Sequence, residues 1–501
     1  MDSLELGGGA LTPAQVEAVA LGRLAPVLSD GARRRMASSA DWYAEHGDPD
    51  LLKSKLGWLL GGEPPPETGS AVRAFLEGHC SGVGPPLAEE EVRALLLARA
   101  NVLAGGRSGV RPQLVERILT FLERGWTPVI PSRGSVGAAG CVALAHAARA
   151  LLGLGGLVET SEGQRPAEAL VAALPPLEAR EKEALSLING SSLATALAAL
   201  AVERSKRVLR AAEVACALTM EVVRADLRAL DPAAAEARGH PGITAAVQRL
   251  RGLLAGSQLV DDKRSPDSFS VRCAPVVLGA AADALDHVAR VVQQELNGAI
   301  DNPLVFSGVG IVECGHVHGA PVAMVMDHLK IALVQLAGIA ERRIFRLTYG
   351  ELSGLPSFLV PGSGVNSGLM LAQYTAASLV SEAKQLAVPA SIDTLPTVQH
   401  QEDHVPMAPS AARSALEVID RVADVVGIEL LCGAQGLDFR MAGEAVDAEG
   451  RLGSTEPRQP AAATRAIYDL VRARVPRLDD DRVLHPDLLA VGRAVRQGCF
   501  C

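Results

Sequence analysis

Forty consecutive residues of this chain, from Ser191 to Leu230, contain neither glycine nor proline. A stretch without breakers and with helical periodicity predicts one continuous helix about 60 Å long. A helix of that length extends beyond the core of a small globular domain, so it requires other long helices beside it. We therefore expect an all-α fold built as a bundle of long helices.

The rest of the chain repeats this pattern. Pro321 is placed to open a second long helix that runs towards Arg346, and further helices are predicted over 368–388 and 410–431. Only 3% of the residues are aromatic, which favours close helix packing over a β-sandwich, and no hairpin signal is evident. We predict a helical domain over 1–435, with a pocket-forming part over about 1–185 and the central bundle over about 186–435, followed by a polar tail over 436–501.

Charge and apolar patterning restrict the partners and the location. A net charge of −9 argues against a nucleic-acid surface. The acidic start, 1–5, is unlike a signal peptide, and the apolar run 184–202 is interrupted by polar and small residues at 189–192, which favours a buried helix over a membrane span. The eight cysteines lack zinc-ligand spacing, so reduced thiols and a cytoplasmic location are expected.

Several short motifs follow one another in a fixed order. They are Gly78-His79-Cys80-Ser81-Gly82, Arg99-Ala100-Asn101, Ser108-Gly109-Val110-Arg111, Gly134-Ser135-Val136-Gly137, Leu187-Ile188-Asn189-Gly190, Ser270-Val271-Arg272, Asp301-Asn302-Pro303, Glu382-Ala383-Lys384 and Gln401-Glu402-Asp403-His404-Val405. In this order they resemble the histidine and aromatic amino acid ammonia-lyases, and the last resembles the histidine branch. The resemblance covers about residues 10–435 and implies the long-helix fold of the ammonia-lyase and fumarase type.

In that family an Ala-Ser-Gly triplet cyclises to 4-methylideneimidazol-5-one, an electrophile that forms when the serine loses its hydroxyl. The matching residues here are Ala138, Ala139 and Gly140. The methyl group of Ala139 has no hydroxyl to eliminate. The sequence therefore predicts that this prosthetic group is absent and that the chain uses no cofactor.

Other positions also depart from the family pattern. The loop 56–62 lacks the family's catalytic tyrosine, and Phe269 stands where a second tyrosine is expected. Pro266 replaces a glutamine, His316 and Val317 replace Asn-Phe, and Cys141 replaces the aspartate after the triplet. A single serine-to-alanine change does not explain this set.

Substrate-binding candidates follow from residue chemistry and from the resemblance. Arg272 suits bidentate binding of a substrate carboxylate, although a structural salt bridge is the alternative. Asn189 is either a turn or cap residue or a ligand contact. The resemblance places His79 on the substrate side, with Asn302 and Phe269 also in the pocket.

Three residues are candidates for catalysis. Glu402 could act as an acid or base, although a carboxylate here also suits a helix N-terminus. Lys384 could be recruited with it. Cys141 could be a thiolate stabilised at a helix N-terminus or a buried apolar thiol. His316 and His318 lack a diagnostic metal-ligand spacing with His400, so no metal is expected.

Together these features predict a repurposed lyase. We expect elimination or addition without the electrophile, on a small amino-acid-like substrate that carries an imidazole or betaine group. The alternative is a catalytically inactive protein that binds such a ligand or partners an active lyase. The resemblance also implies a homotetramer.

Overall fold

The computed structural model describes residues 2–52, 71–260, 267–446 and 452–501. The chain forms two compact units. The first comprises residues 1–203, 288–327 and 389–413, and the second comprises residues 204–287, 328–388 and 414–501. The division of the chain at residues 185 and 435 stays a prediction. The loop 56–62 and Pro266 lie outside the described residues.

Helices dominate both units, which confirms the all-α prediction. The first unit contains α1 (Pro13–Ala20), α2 (Asp30–His46), α3 (Ala71–Gly78), α4 (Glu89–Ala104), α5 (Pro112–Glu123), α6 (Val142–Leu151), α7 (Ala167–Val171) and α8 (Glu181–Ile188). Long helices contribute residues to both units: α9 (Ser192–Val222), α13 (Ala274–Leu296), α14 (Ala320–Thr348) and α17 (Ala408–Ala442). The second unit adds α10 (Pro232–Arg238), α11 (Pro241–Leu253), α12 (Phe269–Arg272), α15 (Gly350–Ser353), α16 (Met370–Leu386), α18 (Ala462–Arg472) and α19 (His485–Arg496).

The end of α9 corrects the prediction of a single helix over residues 191–230. Arg224 has a φ of 56°, in the left-handed region that normally favours glycine. Its backbone N–H donates to the carbonyl of Glu221, and the N–H of Ala225 donates to the carbonyl of Met220. This pattern closes the helix, and it is invisible in the sequence because no glycine marks it.

The strands are short. They are β1 (Asp2–Leu6), β2 (Leu24–Leu28), β3 (Val83–Pro86), β4 (Thr127–Pro128), β5 (Pro131–Arg133), β6 (Leu157–Thr160), β7 (Gly163–Pro166), β8 (Leu304–Phe306), β9 (Gly310–Val312), β10 (Glu444–Val446) and β11 (Leu452–Ser454). β1 pairs with β2 in parallel, whereas β6 and β7, like β8 and β9, form antiparallel hairpins. These hairpins were not predicted, because each has only three or four residues per strand.

The first unit holds its helices together through buried side chains that bind backbone carbonyls. Arg93 on α4 donates to the carbonyls of Val19 and Ala20 at the end of α1, at 3.0 and 3.1 Å, and to Leu122 on α5 at 3.1 Å. These carbonyls lie in the last turns of their helices, where no intrahelical N–H is available. One guanidinium therefore stabilises the C-terminal ends of two helices.

The second unit contains a buried ion pair. Arg343 on α14 binds both oxygens of Glu429 on α17, at 2.5 and 2.8 Å, and the hydroxyl of Thr219 on α9 donates to the same carboxylate at 2.8 Å. The charges are compensated within the unit, so their role is to fix three helices in register.

The acidic run 479–481 binds another segment of the second unit. Asp481 accepts hydrogen bonds from the backbone N–H groups of Ser367 and Gly368, each at 2.8 Å, and these lower the pKa of its carboxyl. This contact ties the tail to the segment before α16.

Two segments, 181–222 and 320–348, are long and apolar enough to span a membrane by length and composition. The apolar window of the first is entirely buried within the protein. This burial is what the interrupted run 184–202 predicts for a core helix.

Candidate active site

The segment 138–140 lies in the first unit, between β5 and α6. Gly137 and Gly140 have positive φ values of 87° and 64°. A Cβ at Gly137 would lie 2.8 Å from Pro409, and the carbonyl of Gly137 accepts the N–H of Gly319 at 2.9 Å. The start of α17 and the loop 315–319 therefore pack directly against this turn, and only glycine fits at position 137.

His79 follows α3 and faces the same turn. A Cβ at Gly140 would lie 3.1 Å from both Cδ2 and Nε2 of the His79 ring. The Nδ1 atom of the ring lies 2.7 Å from the carbonyl oxygen of Phe75. Because a carbonyl only accepts, Nδ1 carries a proton, and in the neutral ring Nε2 is left as an acceptor beside residue 140.

Glu402 is half-buried in the loop that precedes α17. The hydroxyl of Thr397 donates to Glu402 Oε2 at 3.0 Å, and backbone bonds join the same two residues. Burial raises the pKa of Glu402, whereas the Thr397 hydrogen bond and attraction to His79 oppose the rise. Val398 and Gln399 in this loop have positive φ, which stores strain beside the carboxyl group. A carboxyl with a raised pKa is suited to proton transfer near neutral pH.

Asn189 ends α8 and is almost fully buried. Its Nδ2 donates to Asp301 Oδ1 at 3.1 Å and to the carbonyl of Asn302 at 2.7 Å, while its Oδ1 has no partner among the described residues. The amide nitrogen therefore binds the protein itself, and the contact of Asn189 with a ligand stays a prediction.

A buried charge cluster supports Asn189. Arg99 Nη1 donates to the carbonyls of Asn189 and Ile300, at 2.9 and 3.0 Å, and Asp301 lies between Lys182 at 3.3 Å and Arg99 at 3.7 Å. Burial alone would raise the pKa of Asp301, but the two cations outweigh it and hold that pKa below its usual range. The sequence analysis noted the motifs around Arg99 and Asp301 but assigned neither a role.

Both polar ends of the Asn302 side chain bind other residues of the protein. Its Nδ2 donates to Glu313 at 2.8 Å, and its Oδ1 accepts the N–H of Cys314 at 2.6 Å. Both ends of the amide therefore brace β8 and β9, which argues against its predicted contact with a substrate.

Two further acid–base groups lie in the first unit. Ser191 donates to Glu295 Oε1 at 2.8 Å, and burial raises the pKa of Glu295 against this hydrogen bond and against attraction to His316. His318 Nε2 lies 3.2 Å from His404 Nδ1.

Within the described ranges, no group of three or more histidine, cysteine or carboxylate side chains could hold a metal ion.

Cys141 is the N-cap of α6, at the predicted helix N-terminus. Its side chain is nevertheless buried, and Sγ lies 3.2 Å from the hydroxyl oxygen of Ser135. Burial raises the pKa of the thiol despite this hydrogen bond and the nearby backbone. The raised pKa argues against the predicted reactive thiolate and favours the buried apolar thiol.

The remaining predicted residues belong to the second unit. Arg272 is exposed, its guanidinium lies over the Phe269 ring at 4.7 Å, and it forms no ion pair within the described part of the chain. The ring of Phe269 is 68% exposed. Lys384 is exposed in the last turn of α16. The structural salt bridge considered for Arg272 is therefore not found in the described residues.

The fold is a bundle of long helices, and its first unit places His79 against a glycine-rich turn. The family model described as aromatic amino acid lyase matches residues 11–473. The chain belongs to this family.

Two relatives and one solved structure indicate which group within the family this chain is similar to. The histidine ammonia-lyase of Symbiobacterium thermophilum is 42% identical, over 99% of this chain and 97% of that protein. The histidine ammonia-lyase of an Anaeromyxobacter species is 41% identical, over 99% of both chains. Among solved structures, histidine ammonia-lyase from Trypanosoma cruzi superposes with a TM-score of 0.87 and 34% identity, covering 100% of this chain and 94% of the other.

These relatives contradict the predicted function. Departures from the family pattern at a few positions predicted a repurposed enzyme without the electrophile, or an inactive protein. Identity of 41–42% over nearly the whole chain to proteins named histidine ammonia-lyase instead indicates a conventional member of that group. The lyase class is confirmed, and the repurposed function is not.

Proposed function

We propose that this chain is a carbon–nitrogen lyase of the histidine ammonia-lyase type, with L-histidine as its substrate. The observation that carries the proposal is the extent of the similarity to histidine ammonia-lyases, 42% over 99% of the chain. Two features support it, because elimination requires a positioned base: His79 lies against Gly140, and Glu402 has a raised pKa and is attracted to His79.

In this proposal Glu402 is the base. Its carboxylate takes the proton from the carbon next to the one that bears the ammonium group. The electrons of that C–H bond form the new double bond, and ammonia leaves with the electrons of the C–N bond. Burial raises the pKa of Glu402, so the carboxylate is a stronger base than an exposed one.

His79 and Asn189 are proposed to hold the substrate. Since Nδ1 of His79 is committed to the carbonyl of Phe75, its Nε2 is available to accept an N–H of the substrate. The unpartnered Oδ1 of Asn189 is a second acceptor. Two acceptors suit a substrate that carries an ammonium group and an imidazole N–H.

The prosthetic group implied by the family does not fit the residues present. The side chain at position 139 is a methyl group. Without a hydroxyl at 139 no exocyclic double bond can form, so we infer that the group is absent and derive no step through it.

Arg272 remains a proposed carboxylate clamp. Its exposed guanidinium, without a carboxylate partner in the described ranges, supports that role. Substitution Arg272→Met is expected to abolish binding of carboxylate ligands in calorimetry while the protein stays folded. Unchanged affinity would remove the clamp from the proposal. Lys384 stays a proposed catalytic residue and Phe269 a proposed substrate contact, whereas Cys141 is left out of the proposed reaction.

The proposed function is tested by ammonia release from L-histidine. We expect slow turnover by the natural chain and turnover about 10³-fold faster by the variant Ala139→Ser, because a restored hydroxyl could supply about 4 kcal/mol of electrophilic activation. The product is read from the ultraviolet absorbance of the conjugated imidazole acrylate. Equal activity of the two would show that position 139 does not limit the reaction.

The proposal fails if the natural chain releases no ammonia above the rate of Glu402→Gln. If Ala139→Ser then restores activity, histidine remains the assigned substrate. The natural chain itself would then be inactive. Phenylalanine and tyrosine are the matched control substrates.

A homotetramer remains part of the proposal. The second unit exposes large apolar side chains that a monomer would leave in water: Ile331, Phe345, Tyr349, Leu352, Leu371, Tyr374 and Val388. An exposed set of this size is typical of a protein interface. Light scattering after size exclusion should report four copies, and a well-behaved monomer would contradict it. The cytoplasmic location and the lack of nucleic-acid or membrane partners remain proposals based on composition.

A further inference from the structure

A cavity of about 300 Å³ lies within the first unit, and its lining contains none of the residues assigned to the proposed reaction. It is lined by the loop 7–9 after β1, by Gly105 and Arg107 after α4, by residues 297–299 after α13, and by Arg35 on α2. The volume lies at the lower end of the usual range for small-molecule sites, about 300–1,000 Å³. A ligand for this cavity must therefore be small.

The loop 7–9 is held in place on both sides. Before it, β1 pairs with β2, and after it the N–H and the carbonyl of Leu11 each bind the side chain of Asn297 at 2.8 Å. Gly8 has a φ of 76°, and a Cβ at this position would lie 2.5 Å from the Cα atom of Gly105. Only glycine fits there. These contacts form the wall of the cavity without the help of a ligand.

Two arginines and two backbone N–H groups supply hydrogen-bond donors at this cavity. Arg35 uses only its Nη2, which donates to the carbonyl of Gly7 at 2.6 Å. In the described part of the chain the side chain of Arg107 donates no hydrogen bond, and neither arginine forms an ion pair. The N–H groups of Gly8 and Gly9 likewise donate to no acceptor among the described residues. Since each guanidinium carries five N–H donors, the lining offers more donors than the two oxygens of a carboxylate can accept.

The charge of the lining favours an anion. Arg35 and Arg107, with one positive charge each, are the only charged residues among the described ones that line the cavity. The helices α4 and α13 both end there, and the C-terminus of a helix contributes about half a negative charge. A positive balance of about one charge remains. A phosphate group carries about −1.5 to −2 charges at neutral pH and offers three oxygens to guanidinium and backbone N–H groups.

We propose that this cavity binds a small molecule through a phosphate group, which lies between Arg35 and Arg107 and accepts from the N–H groups of Gly8 and Gly9. The ligand neutralises two like charges that line one small cavity. Because the site is built from segments that are far apart in the chain, it exists only in the folded protein. Ligand binding therefore raises the stability of the fold by mass action.

Calorimetric titration of the full-length protein with glycerol 3-phosphate, inorganic phosphate and acetate, each at the same ionic strength, tests this proposal. We expect saturable binding of glycerol 3-phosphate, a ligand-dependent rise in Tm, and binding of acetate that is weaker by about tenfold or more. Equal affinity for the two phosphate probes would support the site and assign free phosphate as the ligand. Saturable binding of neither phosphate probe, or equally tight binding of acetate, would overturn the proposal.

Variants of the two arginines locate the binding. Arg107→Gln should weaken binding of glycerol 3-phosphate by about tenfold or more. The Arg107 side chain is exposed and its guanidinium lies over the Phe306 ring, 5.8 Å from the centroid, so the Tm of this variant without ligand should be close to that of the natural chain. Arg35→Gln is the second variant, and a similar loss is expected.

Arg34→Gln is the matched control. It removes the same charge from the neighbouring position of α2, where the side chain is exposed and does not line the cavity. Its affinity should equal that of the natural chain, and a loss as large as in Arg107→Gln would overturn the proposal. Ammonia release from histidine by the same samples is read independently, so the two proposals can fail separately.

Discussion

Asp301 and Glu402 are both carboxyl groups in the first unit, but their surroundings shift their pKa values in opposite directions. Asp301 is fully buried between Lys182 and Arg99, and the two cations hold its pKa below the usual range. Glu402 is half-buried, and burial raises its pKa against the hydrogen bond from Thr397 and the attraction to His79. A compensated carboxylate keeps its charge and builds structure. One without close cations can exchange a proton and do chemistry.

The largest effect is expected at the compensated site. Asp301→Asn removes the carboxylate charge that lies between the buried cations Lys182 and Arg99, which should cost about 3–5 kcal/mol of unfolding free energy. Urea denaturation measures this loss. Asp469→Asn on the surface of α18 is the control, and its stability should be within about 0.5 kcal/mol of the natural chain. A loss in Asp301→Asn below about 1 kcal/mol would contradict the structural role.

At Glu402 the expected loss is in rate. Glu402→Gln keeps the shape and the bond from Thr397 but cannot accept a proton. We expect kcat for histidine to fall about 10²-fold, equivalent to about 2.7 kcal/mol, with little change in KM. A rise in KM at unchanged kcat would instead make Glu402 a binding residue.

The pH dependence distinguishes the two carboxyl groups further. The raised pKa of Glu402 means that activity should fall as the pH drops through that pKa, and that this limb should be missing in Glu402→Gln. The two carboxyl groups contribute to the free energy of unfolding with opposite pH dependences. The folded state binds the proton of Glu402 more tightly, so its contribution declines as the pH rises from the ordinary glutamate pKa to the raised one. The contribution of Asp301 is present above the ordinary aspartate pKa and is lost as the pH falls towards its lowered value.

Cys141 should give the smallest effect. Its thiol is buried and its pKa is raised, so it should react with a maleimide far more slowly than the exposed Cys501. Cys141→Ala should change kcat less than twofold. Rapid labelling of Cys141, followed by peptide mass analysis, would restore the thiolate hypothesis.

The sequence predicted what depends on periodicity and on motif order. The helices α14, α16 and α17 were found because their apolar spacing is regular, although their ends shifted by several residues, most of all in α17, which extends to Ala442. The end of α9 was missed because an arginine occupies the left-handed position at 224. Three-residue hairpins such as β8–β9 were missed because so short a strand carries no measurable alternation.

The candidate site, too, was predicted from the sequence only in part. Motifs identified His79, Asn189 and Glu402, which the structure places in one unit. Side-chain pairing could not be deduced from them: the cations around Asp301 come from residues 99 and 182, far apart in the chain. Nor could the motifs show that both amide ends of Asn302 are already occupied.

The arginine that closes α9 has a consequence for anyone who selects heat-resistant variants of this protein. A selection that reads only survival at high temperature would favour Arg224→Gly, since glycine adopts the left-handed conformation without the cost of about 1 kcal/mol. The same exchange removes a guanidinium that lines a cavity at this end of the helix and that contacts other residues. Selection for survival alone would therefore discard those contacts, and their loss would escape notice unless the packing at the end of α9 were measured as well.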